Sequence, residues 1–205
     1  EDRAGSLAER VASIFAKACR LDVVAFKPGN VSLCSDGHGM QAEDFLISAK
    51  AAAPVLAEPS LTVGERIRTA IAATRAAVEC NTNLGIVLLL APIANAVLER
   101  RGDDLRASLA EVLENLTVDD AKHCYAGIQL AKPAGMGVVP EQDVSQEPDA
   151  NLGEVMRLAH SRDTIARQYI TDFEDVFCTG LPNLFHYRAR WHSLAWACSA
   201  CYLGF

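Results

Sequence analysis

Leu84-Gly85-Ile86-Val87-Leu88-Leu89-Leu90-Ala91-Pro92-Ile93-Ala94-Asn95-Ala96-Val97-Leu98-Glu99-Arg100 is the stretch that decides the fold class of this chain. It is apolar nearly all round and sets no face aside for water. A helix of that kind is expected at the centre of a protein, surrounded by other helices. Gly85, Pro92 and Asn95 interrupt the run, and from Leu84 to Leu98 it is too short to cross a bilayer.

Helix signals surround this segment on both sides. Ser6 followed by Glu9 has the capping-box spacing and predicts a helix to about Ala25, with Val11, Ile14, Phe15, Ala18 and Leu21 facing a core. Asp44 to Leu56 reads as helix interrupted by Pro54. Thr62 with Glu65 opens another, carrying Ile67, Ala70, Ile71, Thr74 and Val78 on one side. Asp103 to Asn115, Val118 to Leu130, a helix capped by Asn151 with Glu154, and Ser161 through Phe177 follow. Gly180-Leu181-Pro182 is expected to break the chain before a final helix. Phe26 to Gln41 and Lys132 to Ala150, rich in Gly and Pro, read as long loops. No window alternates as a strand does, and no fixed-period repeat occurs. The reading is an all-α, orthogonal or bundle-like single domain over residues 1–205 with about eight or nine helices.

Composition agrees. Half the residues are hydrophobic but only 6% are aromatic, with alanine abundant, a bias toward helix. A formal net charge of −7 argues against a nucleic-acid surface, which needs clustered excess Lys and Arg. Seven cysteines in no secreted-scaffold spacing read as reduced thiols in a cytoplasm. Cys198 and Cys201 form a CxxC within an apolar stretch and read as core thiols. No signal-peptide pattern is present, and no membrane is expected as a partner. The chain starts with Glu1 rather than Met and stops at Phe205 inside an apolar pattern, as a fragment of a longer protein would.

Two polar interruptions point to a ligand. In Lys27-Pro28-Gly29-Asn30-Val31, Pro28 fixes φ and Gly29 frees it, so the chain turns and presents Lys27 and Asn30. Asn81-Thr82-Asn83-Leu84-Gly85 places three hydrogen-bonding side chains just before the apolar run. The two are expected to fold against each other around a nucleotide. Ser35-Asp36-Gly37-His38-Gly39 suits phosphate or metal contact, or proton transfer by His38; a solvated turn is the plainer reading. Asp44 stands at a helix start, where a carboxylate also suits the helix dipole. Glu79 lies one turn before Asn83 and shares its face if the helix continues, a pairing able to hold a divalent cation or ribose hydroxyls. Asp163 and Arg167 are spaced to brace one helix, and Arg162 is placed to meet phosphate.

In this order and spacing, Lys27 to Val31, Asp44-Phe45, Asn81 to Gly85, Asp143-Val144, Arg162-Asp163 and Ile165-Ala166-Arg167-Gln168-Tyr169 resemble the triphosphoribosyl-dephospho-coenzyme A synthase family. Its members serve the prosthetic-group pathways of citrate lyase and malonate decarboxylase. The resemblance runs from about residue 20 to 180. It implies an all-α enzyme that joins C1 of the ATP ribose to the 2′-hydroxyl of dephospho-coenzyme A, keeps the triphosphate and releases adenine. Such chemistry passes through an oxocarbenium-like state. It needs groups for the triphosphate, usually through Mg²⁺, and a base for the hydroxyl.

On that resemblance Lys27 and Arg162 are assigned to phosphates. Asn30, Asn81, Thr82, Asn83 and Gln168 are assigned to substrate hydrogen bonds. Asp36, His38 and Asp44 are the catalytic candidates, and Asp36, Asp44 and Glu79 the metal candidates. Expected partners are ATP and dephospho-CoA or a related ribosyl acceptor, with a homodimer compatible. The chain departs from the citrate-lyase branch at Ala42, Asn83 and Leu84, where that branch often carries His, His and a basic residue. It is closer to archaeal and methylotroph-type relatives, some of them associated with tetrahydromethanopterin synthesis. A pterin-pathway acceptor and a non-catalytic nucleotide-binding module are therefore the alternatives.

Overall fold

The computed structural model describes residues 2–37, 39–99, 104–133 and 144–204. Among these the chain is helical throughout: α1 (Asp2–Val24), α2 (Ala42–Leu56), α3 (Val63–Ala77), α4 (Leu84–Glu99), α5 (Leu105–Glu114), α6 (Val118–Ala131), α7 (Leu152–Ala159), α8 (Thr164–Ile170), α9 (Leu181–Trp191) and α10 (Leu194–Gly204). A π-helical turn, Asp175–Gly180, leads into α9. The described α-helices number ten, more than the eight or nine expected. The only ladder pairs among the described residues are the isolated bridges Ser32 to Ser35 and Gly37 to Met40, both in the predicted first loop.

The capping boxes fold as their spacing dictates. Thr62 and Glu65 exchange backbone bonds of 3.0 and 3.3 Å at the start of α3, and Asn151 and Glu154 bonds of 3.0 and 2.9 Å at α7. Helix α4 is the predicted centre. Every residue from Leu84 to Leu98 is buried or half-buried, and the helix packs on α1, α2, α3, α5 and α8. The main core joins residues from α1 through α8 around it, and includes Phe15, Ile67, Val87, Leu109 and Phe173.

Pro92 sits inside α4 and has no N–H to give the carbonyl of Leu88, four residues earlier. Tyr169 of α8 supplies the missing donor: its hydroxyl reaches the Leu88 carbonyl at 2.6 Å in a buried setting. Pro54 leaves the same gap in α2 at Lys50, but both residues are exposed, so α2 continues to Leu56 without interruption. Helices α3 and α6 approach through glycine. A methyl on Gly64 would stand 2.4 Å from the Asp120 Cα, and the Gly64 N–H donates to the Asp120 carboxylate at 2.7 Å.

Several expectations need correction. Helix α1 begins upstream of Ser6, and its buried line is Val11, Phe15, Cys19 and Val23, a strict four-residue step that leaves Ile14 58% exposed. The helix expected to run from Ser161 to Phe177 is cut after Ile170. Asp172 and Phe173 turn left-handed (φ 50° and 57°), which carries the Phe173 ring fully into the core. Asp163 caps α8 through the N–H groups of Ile165 and Ala166 instead of bracing Arg167, which pairs with Asp175 at 3.2 Å. Gly180 is helical (φ −61°), so Gly180-Leu181-Pro182 makes no break; the chain turns at His192 (φ 54°). Helix α10 packs mainly on α9 and touches α1, which leaves Cys198 and Cys201 half-buried, not core thiols.

Candidate active site

The N-terminal half of α2 is the platform that gathers the predicted segments. Its buried face is Ala42, Phe45, Ser48, Ala49 and Ala52, the three- and four-residue spacing of an amphipathic helix. Val31, from the Lys27 to Val31 turn, packs with Val23, Ala42 and Phe45 in a small second core. Gly29 takes φ 84°, the left-handed conformation that the Pro-Gly turn requires. Asn30 is exposed on the turn, while Lys27 is buried with its ammonium paired to Asp22. Tyr202 of α10 donates its hydroxyl to the Pro28 carbonyl at 3.1 Å, so α10 lies alongside the turn.

Asn81 to Asn83 reach the same stretch of α2. The Asn83 amide donates to the Phe45 carbonyl at 3.2 Å and to Ser48 Oγ at 2.8 Å, and Ser48 Oγ meets Thr82 Oγ1 at 2.7 Å. Ser48 and Asn83 are buried; Asn81 and Thr82 are half-buried. Phe45 thus joins both polar segments, its side chain packing with Val31 and its carbonyl holding Asn83. Asn83 Oδ1 is buried without a protein partner. The orientation is chemically fixed, because only the NH₂ end can donate to a carbonyl.

The start of α8 arrives at the same place. A methyl on Gly85 would stand 3.4 Å from Ile165 Cδ1, so the first turns of α4 and α8 are in contact. Arg162 is exposed just before that turn. Gln168 is buried and donates to Asp175 at 2.7 Å, leaving its Oε1 unpartnered. The Tyr169 hydroxyl is committed to Leu88. Burial first, then the charges of Cys124 and Asp120, raise its pKa well above the phenol range, so Tyr169 remains a neutral donor.

The acids are more dispersed. Asp44 accepts the Gln41 N–H at 2.8 Å through one oxygen, the helix-start role, and its other oxygen is available on the platform. Burial first, then the Asp44 charge, raises the pKa of Cys80, which precedes Asn81. Asp36 is exposed in the turn between the two bridges. Glu79 is exposed, and Val78 is extended (φ −140°, ψ 144°), so α3 ends before Glu79 and the shared helix face with Asn83 does not form. Among the described residues no three His, Cys, Asp or Glu side chains gather as a metal cage. His38 and Asp143 lie outside the described residues.

Ser48, Asp22 and Asp175 escaped the sequence reading. Ser48 was detectable as the one hydroxyl in the step Phe45, Ser48, Ala49, Ala52, a polar group on an otherwise apolar face. Asp22 and Asp175 join Lys27 and Gln168 through folding alone, and nothing local announces them.

A family model described as CitG: ATP:dephospho-CoA triphosphoribosyl transferase matches residues 8–205. Nothing matches among curated proteins, and nothing among solved structures.

Proposed function

The chain belongs to the ATP:dephospho-CoA triphosphoribosyl transferase family, and from that premise we propose that its reaction takes place where the N-terminal half of α2 meets the start of α4, with the start of α8 against α4. The chain is a transferase that moves the triphosphoribosyl group of ATP to a hydroxyl of its acceptor, dephospho-CoA in the family, and releases adenine. The observation that supports the location is the Phe45–Ser48–Thr82–Asn83 network, which ties the Asn81 to Gly85 segment to the helix that also carries the Lys27 turn.

The chemistry asks for three things. Anionic phosphates need donors and positive potential. The first turn of α4 carries no acidic residue to cancel its dipole, and Thr82 stands two residues before its first residue, Leu84. Arg162 adds an exposed cation, whereas Lys27 is buried with its charge already balanced by Asp22. The ribose needs hydrogen bonds, and the exposed Asn30 and half-buried Asn81 are assigned to it. The acceptor hydroxyl needs a base as positive charge builds on the ribose. Asp44 suits this better than Asp36, because one of its oxygens is held by the Gln41 N–H on the helix that carries Phe45 and Ser48, whereas Asp36 is exposed in the turn between the two bridges.

Mg²⁺ fits as a companion of the triphosphate. Mg²⁺ keeps several waters and takes one or two carboxylates plus phosphate oxygens, so a three-acid cage is not required. With Asp44 kept as the base, Asp36 is the residue that would hold it, and it would neutralise phosphate charge. Cytoplasmic location is part of the same proposal; no helix among the described residues is long and apolar enough to cross a membrane.

The test is incubation with ATP, Mg²⁺ and dephospho-CoA, with chromatography for free adenine and mass analysis of the acceptor. Adenine released in equal amount to an acceptor heavier by one triphosphoribosyl group is the expected result. Formation of ADP or AMP without adenine would refute it. Substituting other ribosyl acceptors in the same assay defines the acceptor range.

A further inference from the structure

We propose that Ser48 is a positioning residue which turns the Thr82 hydroxyl into a one-way donor aimed at the phosphate oxygens of bound ATP; this rests on the location given above. Asn83 Nδ2 carries two hydrogens, and both are committed, one to the Phe45 carbonyl at 3.2 Å and one to Ser48 Oγ at 2.8 Å. Ser48 Oγ therefore accepts from Asn83 and has a single proton of its own to place. Two acceptors are within reach: the Phe45 carbonyl at 3.1 Å, which already receives the Asn83 amide, and Thr82 Oγ1 at 2.7 Å. The shorter contact, to the oxygen with no other donor, is the better bond.

With that proton directed to Thr82, the Thr82 hydroxyl accepts on its inner side and must donate elsewhere. Ser48 is its only partner among the described residues. Ser48 is fully buried while Thr82 is half-buried, so the free O–H belongs to the more exposed end of the network. A hydroxyl arranged in this way favours an acceptor and disfavours a donor, and phosphate oxygens are acceptors only. A second polar atom in the network also lacks a protein partner. Asn83 is 1% exposed and its Oδ1 has no protein partner, an acceptor left for a water or ligand hydroxyl next to Thr82.

Calorimetric titration with ATP and with adenosine, on the intact chain, tests this for T82V, T82S and S48A. Thr82→Val keeps the shape and removes the hydroxyl, and is expected to bind ATP roughly 10- to 100-fold more weakly, the range for a lost hydrogen bond to a charged group. Adenosine affinity should stay within about twofold in the same variant, because adenosine has no phosphate. Thr82→Ser should restore ATP binding. Ser48→Ala should weaken ATP binding in the same selective way, and S48A/T82V should be no weaker than T82V alone, since both remove one interaction. Melting curves separate misfolding from loss of contact. Equal losses for ATP and adenosine, wild-type ATP binding by T82V, or additive losses in the double variant would each overturn the assignment. Adenine release by the parent is measured separately: a parent that binds ATP through Thr82 but releases no adenine sinks the activity and leaves this contact standing, whereas a parent that does not bind ATP overturns the contact itself.

Discussion

Replacing Tyr169 by Phe should destabilise the protein through a carbonyl eighty-one residues away in sequence. Pro92 cannot donate to the Leu88 carbonyl, and the Tyr169 hydroxyl at 2.6 Å takes that place. Both residues are buried, so water is excluded from the vacated position. The Phe ring keeps the apolar packing, including the tilted contact with Phe173 at 6.0 Å between centroids. What is lost is one donor to a buried acceptor, about 1–3 kcal/mol. For a chain of this size that is a fall in melting temperature of roughly 2–12 °C. Differential scanning calorimetry on Y169F, P92A and the double variant measures it. P92A restores an N–H within α4 that can serve the Leu88 carbonyl, so Y169F should cost distinctly less in that background. Equal losses in both backgrounds, or no loss in either, would refute the proposed substitution of a side-chain donor for the proline gap.

Gly64→Ala should be among the most destabilising small changes. Its methyl would meet backbone atoms of Asp120 at 2.4 to 2.8 Å, which cannot swing aside, and a cost of about 1–3 kcal/mol or more is expected in urea melts. Asp120 predicts an acid limit to stability. Burial raises its pKa, but hydrogen bonds from Gly64 and Thr117 lower it further, so the net shift is downward. Stability from that carboxylate is therefore present above the usual carboxylate range near pH 4 and is lost as pH falls below it. Urea midpoints from pH 7 to pH 2 should drop at the acid end for the parent, with a shallower slope for Asp120→Asn. Thiol labelling of the native protein should modify the exposed Cys34 and Cys178 before Cys19 and Cys124, which are buried and whose pKa values rise to about 12. Early labelling of Cys124 would contradict its place in the core.

What could be read from the sequence was periodic or locally capped. The apolar run of α4, the inward face Ile67, Ala70, Ile71, Thr74 and Val78, and the boxes Thr62–Glu65 and Asn151–Glu154 need only neighbours within a turn to be recognised. Misreadings came where tertiary packing decided the outcome. Ile14 looked like core by its chemistry but lies about 100° round the helix from Phe15. The cut after Ile170 depends on burying Phe173, and the continuity through Gly180 on a π turn. At the site, the Asn81 to Asn83 segment was legible as polar chemistry beside an apolar helix. Its anchor, Ser48, is thirty-five residues from Asn83 and became visible only when α2 and α4 were placed together. Tyr169, which stands in the run resembling the family, gives its hydroxyl to the backbone of α4.

The most direct test of the central claim is a crystal structure with ATP and dephospho-CoA bound. A triphosphate oxygen about 2.7–3.0 Å from Thr82 Oγ1, with the ribose C1 turned toward Asp44, is the predicted arrangement. A triphosphate bound against α9, away from Phe45 and Asn83, would contradict it.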